Sequence, residues 1–201
     1  AHKQRHIDIL KSLNYEYDEA ALAETEKVWL EGIEYMRTFP LTDTEIEINK
    51  YLREGKTVLA ECAQGTMLDV DYGTFPFVTS SSTSCGGACI GLGVPPQKIG
   101  KVWGVFKAYC TRVGNGPFPT ELFDETGEQI RQAGHEFGAT TGRPRRCGWL
   151  DLVAVKYAID INGVNYINLN HLDTIGNFDT FKACVAYEVN GVETTGSKTI
   201  S

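Results

Sequence analysis

The sequence predicts an α/β fold with a mostly parallel central sheet flanked by helices, and three observations carry that prediction. Short runs rich in apolar, β-branched and aromatic residues recur as TVLAEC, VWGVFKAYCTRVG and VNYINLNHLD. Segments with apolar residues at three- and four-residue spacing stand between and before them. Turn-forming or small residues follow each run. Strands alternating with helices pack most readily as a parallel sheet covered by helices. The chain is expected to divide into a helical segment, residues 1–55, and a central α/β part, residues 56–201, of one domain.

Taken in order, ILKSL, DEAALAETEKVWLEGIEYMRTF and DTEIEINKYLREG read as helices, with Asp18 and Asp43 as candidate N-caps. TVLAEC reads as a buried strand ending in the small-residue turn AQG, and the Gly-rich part of FPFVTSSSTSCGGACIGLGVPP as a short helix. VWGVFKAYCTRVG reads as a strand, NGPFPTELFDETG as turns and ETGEQIRQAGHEF as a short helix. Residues 149–161 are apolar nearly all round, which predicts a buried helix with Asp151 favourably placed near its start. VNYINLNHLD is a further strand, and FKACVAYEVNG a strand and turn. The chain reaches Thr199, Ile200 and Ser201 without an evident terminal element.

Composition excludes several functions. A formal charge of -7 opposes nucleic acid as the main partner, so any anion site must be local. No apolar run approaches the roughly 18 residues that span a bilayer. Six cysteines without a CxxC pair suggest reduced thiols in a cytoplasmic protein.

Ligands of open α/β sheets sit beyond the carboxyl ends of the strands, so the loops there hold the candidate residues. VTSSSTS offers hydroxyl and backbone donors for an anion, or an ordinary Ser/Thr cap. Arg143 and Arg145, after the flexible Gly142, suit different parts of one anionic ligand, or form a solvated basic loop. The carboxylate of Asp173 is suited to a ring N–H and amino pair such as guanine presents, or to a turn. Gln64 carries a donor and an acceptor in a Gly-flanked turn. Asp69 and Asp71 form either a metal or acid/base pair, or face solvent. No His/Cys cluster has metal-ligand spacing.

Taken together, AECAQGTMLDVDYGTFPFVTSSSTSCGG, KAYCTRVGNGPFPTELFDETGE, HEFGATTGRPRRCGWLDLVAV and NLNHLD, in that order, closely resemble the adenylosuccinate synthetase family. The resemblance implies a P-loop GTPase-like core and GTP-dependent ligation of IMP and L-aspartate through a 6-phosphoryl-IMP intermediate. It implies a cytoplasmic homodimer that uses Mg²⁺, with no nucleic acid or membrane partner. By the same resemblance Gln64 is catalytic and contacts the purine of IMP, Thr79 its phosphate, and Val113 and Gly114 its ribose. Arg143 is implied to contact both IMP and aspartate. Ala139, Thr140, Thr141, Gly142, Arg143, Pro144 and Arg145 correspond to a mobile aspartate-binding loop, with Arg145 shared with GTP. His171, Leu172 and Asp173 correspond to the guanine-reading turn. His171 stands where the family usually has Lys, and Cys62 where Gly is usual.

The family's Gly-rich phosphate loop, with its catalytic Asp and following His, does not occur in the 201 residues. The resemblance therefore makes this the central part of the enzyme, with the Mg²⁺ ligands and the rest of the GTP site expected in N- and C-terminal parts. A noncatalytic purine-nucleotide-binding module or inactive fragment is the alternative expectation.

Overall fold

The computed structural model describes residues 2–196, so the expectation at Thr199–Ser201 lies outside the described residues. The chain forms two compact units, residues 1–43 and 44–201. In the first, α1 (His2–Ser12) and α2 (Glu19–Met36) are joined by an ion pair between Lys3 and Glu26. The Asp18 carboxylate accepts from the N–H groups of Ala20 and Ala21 at 2.8 and 3.1 Å, which caps α2 as its sequence predicts.

The second unit contains α3 (Thr44–Arg53), α4 (Cys85–Leu92), β1 (Trp103–Lys107), β2 (Tyr109–Arg112), α5 (Glu125–Ala133) and β3 (Arg146–Asp151). These are followed by α6 (Leu152–Asn162), β4 (Tyr166–Asn170), α7 (Leu172–Ile175), β5 (Ala183–Cys184), β6 (Tyr187–Val189) and β7 (Val192–Thr194). β1 pairs in parallel with β4, from Trp103 opposite Tyr166 to Lys107 opposite Asn170. β2 runs antiparallel to β3, which is parallel to β5, while β6 and β7 form a hairpin.

Three expectations need correction. TVLAEC forms no strand, and Leu59 is 91% exposed. A strand exists only where its backbone groups find a neighbouring ladder, and among the described residues none lies beside this run. The helix expected from Trp149 begins at Leu152 instead, because Trp149 is paired with Tyr109 in the β2–β3 ladder. The switch occurs at Asp151, whose Oδ1 accepts from the N–H groups of Val153 and Ala154 at 3.0 Å each. The run VWGVFKAYCTRVG also divides at Ala108, so that its halves serve two different ladders.

The core that positions the site comprises Ala108, Tyr109, Ile130, Cys147 and Ile175, with Leu122, Trp149 and Phe178 against it. It joins α5, α7 and the β2–β3 pair. A Cβ on Gly134 would stand 2.2 Å from the Tyr109 hydroxyl, so glycine at the end of α5 permits that approach. All six cysteines are free, and burial pushes the thiols of Cys110 and Cys147 up to about 11, leaving them protonated at neutral pH. Among the described residues no helix is long and apolar enough to cross a membrane.

Candidate active site

The hydroxyl-rich segment is folded around Asp69, which is fully buried. Its Oδ1 accepts from the N–H groups of Asp71 and Tyr72 at 2.9 and 3.1 Å. Its Oδ2 accepts from the N–H groups of Thr83 and Ser84 at 2.7 and 3.0 Å and from the Ser82 hydroxyl at 3.3 Å. Burial alone would raise this carboxyl, but the four backbone donors outweigh it and hold it at about 2. Asp69 is thus an anchor that is ionised at neutral pH and has both oxygens occupied, and Asp71 is exposed.

That anchoring also bears on the Ser/Thr segment. The N–H groups of Thr83 and Ser84 are taken by Asp69 and that of Cys85 by Asn162 Oδ1 at 2.7 Å. Ser84, in the N-cap position of α4, makes no side-chain cap bond. Neither the helix start nor a hydroxyl cap explains the segment; the exposed hydroxyls before it do. Ser81 Oγ donates to Gln64 Oε1 at 2.8 Å and lies 3.4 Å from Thr79 Oγ1. Gln64 has a positive φ of 72°, which turns its amide back over this segment.

Arg112 brings a second loop alongside. Its guanidinium donates to the Asn115 and Pro117 carbonyls at 3.0 and 3.4 Å, and to Thr74 Oγ1 and the Phe77 carbonyl at 3.1 and 2.9 Å. The turn holding Val113 and Gly114 is thereby fastened to the strip leading into Thr79. Val113 is exposed, and Gly114 has a φ of 79° that a side chain would strain.

The three neighbouring arginines have three different fates. Arg146 grips Glu121 with both arms of its fork, donates to the carbonyls of Gly114 and Gly116 at 3.0 and 2.9 Å, and lies over the Phe118 ring. Arg145 donates from Nη1 to Glu136 Oε2 at 2.9 Å, while its Nε is buried without a hydrogen-bond partner among the described residues. Arg143 is exposed, and its guanidinium has no hydrogen bond or ion pair among the described residues. Arg146, the first residue of β3, stands opposite Arg112, so the 139–145 loop before it and the Val113–Gly114 turn share one end of the β2–β3 ladder.

The loop itself is a tight hairpin. Phe137 bridges Pro144, Gly138 N–H donates to the Arg143 carbonyl at 2.9 Å, and Arg145 N–H to the Glu136 carbonyl at 2.9 Å. Gly142, with φ 64°, closes on the Gly138 carbonyl at 2.8 Å, leaving Ala139, Thr140 and Thr141 as an exposed tip. Amide exchange without ligand should therefore be fast at Ala139–Thr141 and slower at Gly138 and Arg145, read residue by residue by NMR. Uniform protection through the tip would show that the loop is not mobile.

Below the hairpin, Glu136 is almost fully buried. Its Oε1 accepts from Lys107 Nζ at 2.5 Å and from the Tyr109 hydroxyl at 2.6 Å. Burial opposes its charge, but Lys107, Tyr109 and Arg145 together hold its carboxyl below the usual range. Burial and the Glu136 charge push the Tyr109 phenol up. The Tyr109 hydroxyl lies 3.4 Å from His171 Nδ1, and the two rings meet edge to face at 5.7 Å. His171 has a φ of 60° and starts α7; Leu172 and Asp173 are exposed, and the Asp173 carboxylate makes no hydrogen bond among the described residues. Asp173 is therefore not the cap of that turn.

Sequence reasoning missed Arg112 and Glu136, and took VTSSSTS as a whole without singling out Ser81. Arg112 had a local signal, an arginine directly before a Gly-rich turn. Glu136 had none, since Lys107 and Tyr109 lie 29 and 27 residues away.

The sequence and the fold have counterparts among known proteins. The adenylosuccinate synthetase family profile matches residues 2–200. The chain belongs to that family. It is 65% identical over 191 residues to the adenylosuccinate synthetase of Phocaeicola vulgatus, covering 95% of this chain and 44% of that protein. To that of Bacteroides thetaiotaomicron it is 63% identical over 193 residues, 96% of this chain and 45% of the other. Among solved structures, the fully ligated adenylosuccinate synthetase of Plasmodium falciparum superposes with a TM-score of 0.79 at 38% identity, covering 98% of this chain and 48% of that one. The chain thus spans somewhat under half the length of these adenylosuccinate synthetases, and the resemblance in its loop motifs and its α/β fold class are both borne out.

Proposed function

We propose that this chain carries the IMP and L-aspartate sites and part of the GTP site of a GTP-dependent adenylosuccinate synthetase. The observation that carries this reading is the free guanidinium of Arg143 beside two arginines that carboxylates already hold. An unpaired fork on the stem of an exposed hairpin, at the end of the ladder where the Val113–Gly114 turn also begins, suits an anionic ligand. In this reading the Gln64 amide addresses the purine oxygen and Thr79 Oγ1 the phosphate of IMP, while Val113 and Gly114 line the ribose. The Ala139–Pro144 segment receives aspartate through its backbone and Arg143, and Arg145 is shared with GTP. His171, Leu172 and Asp173 hold guanine.

As the purine ring N–H gives its proton to a base, the purine oxygen of IMP attacks the γ-phosphorus of GTP and GDP departs. The aspartate amine then attacks the purine carbon and gives up a proton, and phosphate leaves with the electron pair of the broken C–O bond. Gln64 stabilises charge at that oxygen, and Arg143 offsets the charge of the gathered anions. Magnesium does not fit the residues present. Among the described residues no three His, Cys, Asp or Glu side chains cluster, and Asp69 spends its oxygens on N–H donors. The reading brings with it a cytoplasmic homodimer.

The test is a graft in which this chain replaces the matching 193 residues of the Bacteroides thetaiotaomicron enzyme. The graft should form adenylosuccinate from IMP, aspartate, GTP and Mg²⁺, followed by product absorbance. The 201-residue chain alone should form none, because its sequence lacks a Gly-rich phosphate cradle. A soluble graft without turnover, or turnover by the chain alone, overturns this division of labour. In the graft, Asp173→Asn should weaken GTP and relax its preference over ATP by about tenfold or more, since an acceptor facing the guanine ring N–H and amino group is lost. An unchanged GTP-to-ATP ratio of kcat/KM would remove Asp173 from the guanine site.

A further inference from the structure

The geometry points to Glu136 as a positioning residue that couples the aspartate hairpin to the guanine-reading turn through one buried carboxylate. This rests on the proposed site assignment and deepens it. Glu136 is the first residue of the hairpin stem: its carbonyl accepts from Arg145 N–H at 2.9 Å and its Oε2 from Arg145 Nη1 at 2.9 Å. Backbone and side chain together therefore fix where the Arg145 guanidinium points. The other oxygen, Oε1, faces the opposite way in the network and accepts from Lys107 and Tyr109.

Proton accounting extends the link to α7. The Tyr109 hydroxyl has one proton, which it gives to Glu136, so a bond to His171 3.4 Å away requires Nδ1–H as the donor. The Thr174 hydroxyl lies 3.4 Å from the same nitrogen. With Asp173 two residues on, the chain Arg145–Glu136–Tyr109–His171 connects the two subsites without passing through either ligand. Lys107 at the end of β1 and Thr111 in β2, 3.3 Å from Lys107 Nζ, are the other polar groups on that side.

Three donors converge on two carboxylate oxygens, and only an anionic acceptor satisfies all of them. A glutamine would present one oxygen and one NH₂, and the NH₂ would meet Lys107 or Arg145 donor against donor. Because Lys107 and Tyr109 together hold one oxygen and Arg145 alone the other, the amide oxygen stays with the pair and the Arg145 branch is released. Withdrawing or misplacing Arg145 weakens aspartate and GTP, whereas IMP, held by Gln64, Thr79, the Val113 turn and an Arg143 guanidinium that Glu136 does not hold, is spared. A general loss of folding would not produce that pattern.

The experiment measures KM for all three substrates in the active graft. Glu136→Gln is expected to raise KM for aspartate and GTP at least fivefold while leaving KM for IMP within twofold. Tyr109→Phe removes only the hydroxyl that joins Glu136 to His171, and should raise KM for GTP at least threefold with KM for aspartate within twofold. Unchanged KM values in Glu136→Gln, or an equal rise in all three, would overturn the coupling. Should Glu136→Gln not fold, Tyr109→Phe decides, and an unaltered KM for GTP overturns it. Failure of the site assignment is distinguishable, because it appears in the unmutated graft or in Asp173→Asn before Glu136 is touched.

Discussion

Asp69→Ala is expected to lower the unfolding free energy of the second unit by about 3–5 kcal/mol at pH 7, the range for losing a buried, hydrogen-bonded charge. Four backbone N–H groups, those of Asp71, Tyr72, Thr83 and Ser84, lose their acceptor together. The same two stretches are also joined by the N–H groups of Val70 and Thr79 and by the Thr83 hydroxyl, so the fold of the loop is weakened rather than abolished. The pH dependence has a definite sign. The native carboxyl titrates at about 2 against an ordinary value of 3.8, so its contribution is complete above about pH 4 and disappears as pH falls toward 2. Wild type and variant should therefore differ most at neutral pH in urea unfolding, and the difference should narrow by roughly 2 kcal/mol as pH falls to 2. A constant difference across that range, or a loss below about 1 kcal/mol at pH 7, would show that Asp69 does not hold the loop.

The consequence reaches the site, because Asp69 orders residues 82–84, immediately after the hydroxyls of Thr79 and Ser81. Asp69 illustrates what the sequence conceals. It stands beside Asp71 as one of two similar carboxylates, yet burial and four N–H donors from two separate segments make one an anchor and leave the other in solvent. The features legible beforehand are local ones. Asp18 and Asp151 cap helices whose N–H groups lie two and three residues on, within reach of any sequence reading. TVLAEC and Trp149 were misread for the complementary reason: strand and buried helix share apolar composition, and a ladder partner decides between them. Trp149 finds Tyr109, 40 positions earlier, whereas TVLAEC finds no partner among the described residues. In the site, the loop motifs were readable, but which arginine was free was not. Arg143, Arg145 and Arg146 look alike in RPRR until Glu136 and Glu121 claim two of them.

That division makes Arg143→Leu the sharpest probe of the site. Its guanidinium supports nothing in the fold among the described residues, so replacing it should change stability by less than about 0.5 kcal/mol, as at other exposed positions. In the active graft the same change should cost about 2–4 kcal/mol of transition-state stabilisation, a fall in kcat/KM of roughly thirtyfold to a thousandfold. The loss arises because charge-assisted bonds to anions are strong once the hairpin excludes water, and leucine offers neither charge nor donors. KM for aspartate and IMP should rise, and Arg143→Lys should recover only part of the loss, since an ammonium keeps the charge without the fork. Arg146→Leu should behave in the opposite way. It strands the Glu121 carboxylate and the carbonyls of Gly114 and Gly116, so its first effect should be a lower melting temperature. Thermal melts and steady-state kinetics on the two variants side by side separate the roles. Wild-type KM values for aspartate and IMP in Arg143→Leu would show that the free guanidinium is a solvated charge and that the hairpin binds its ligand by other means.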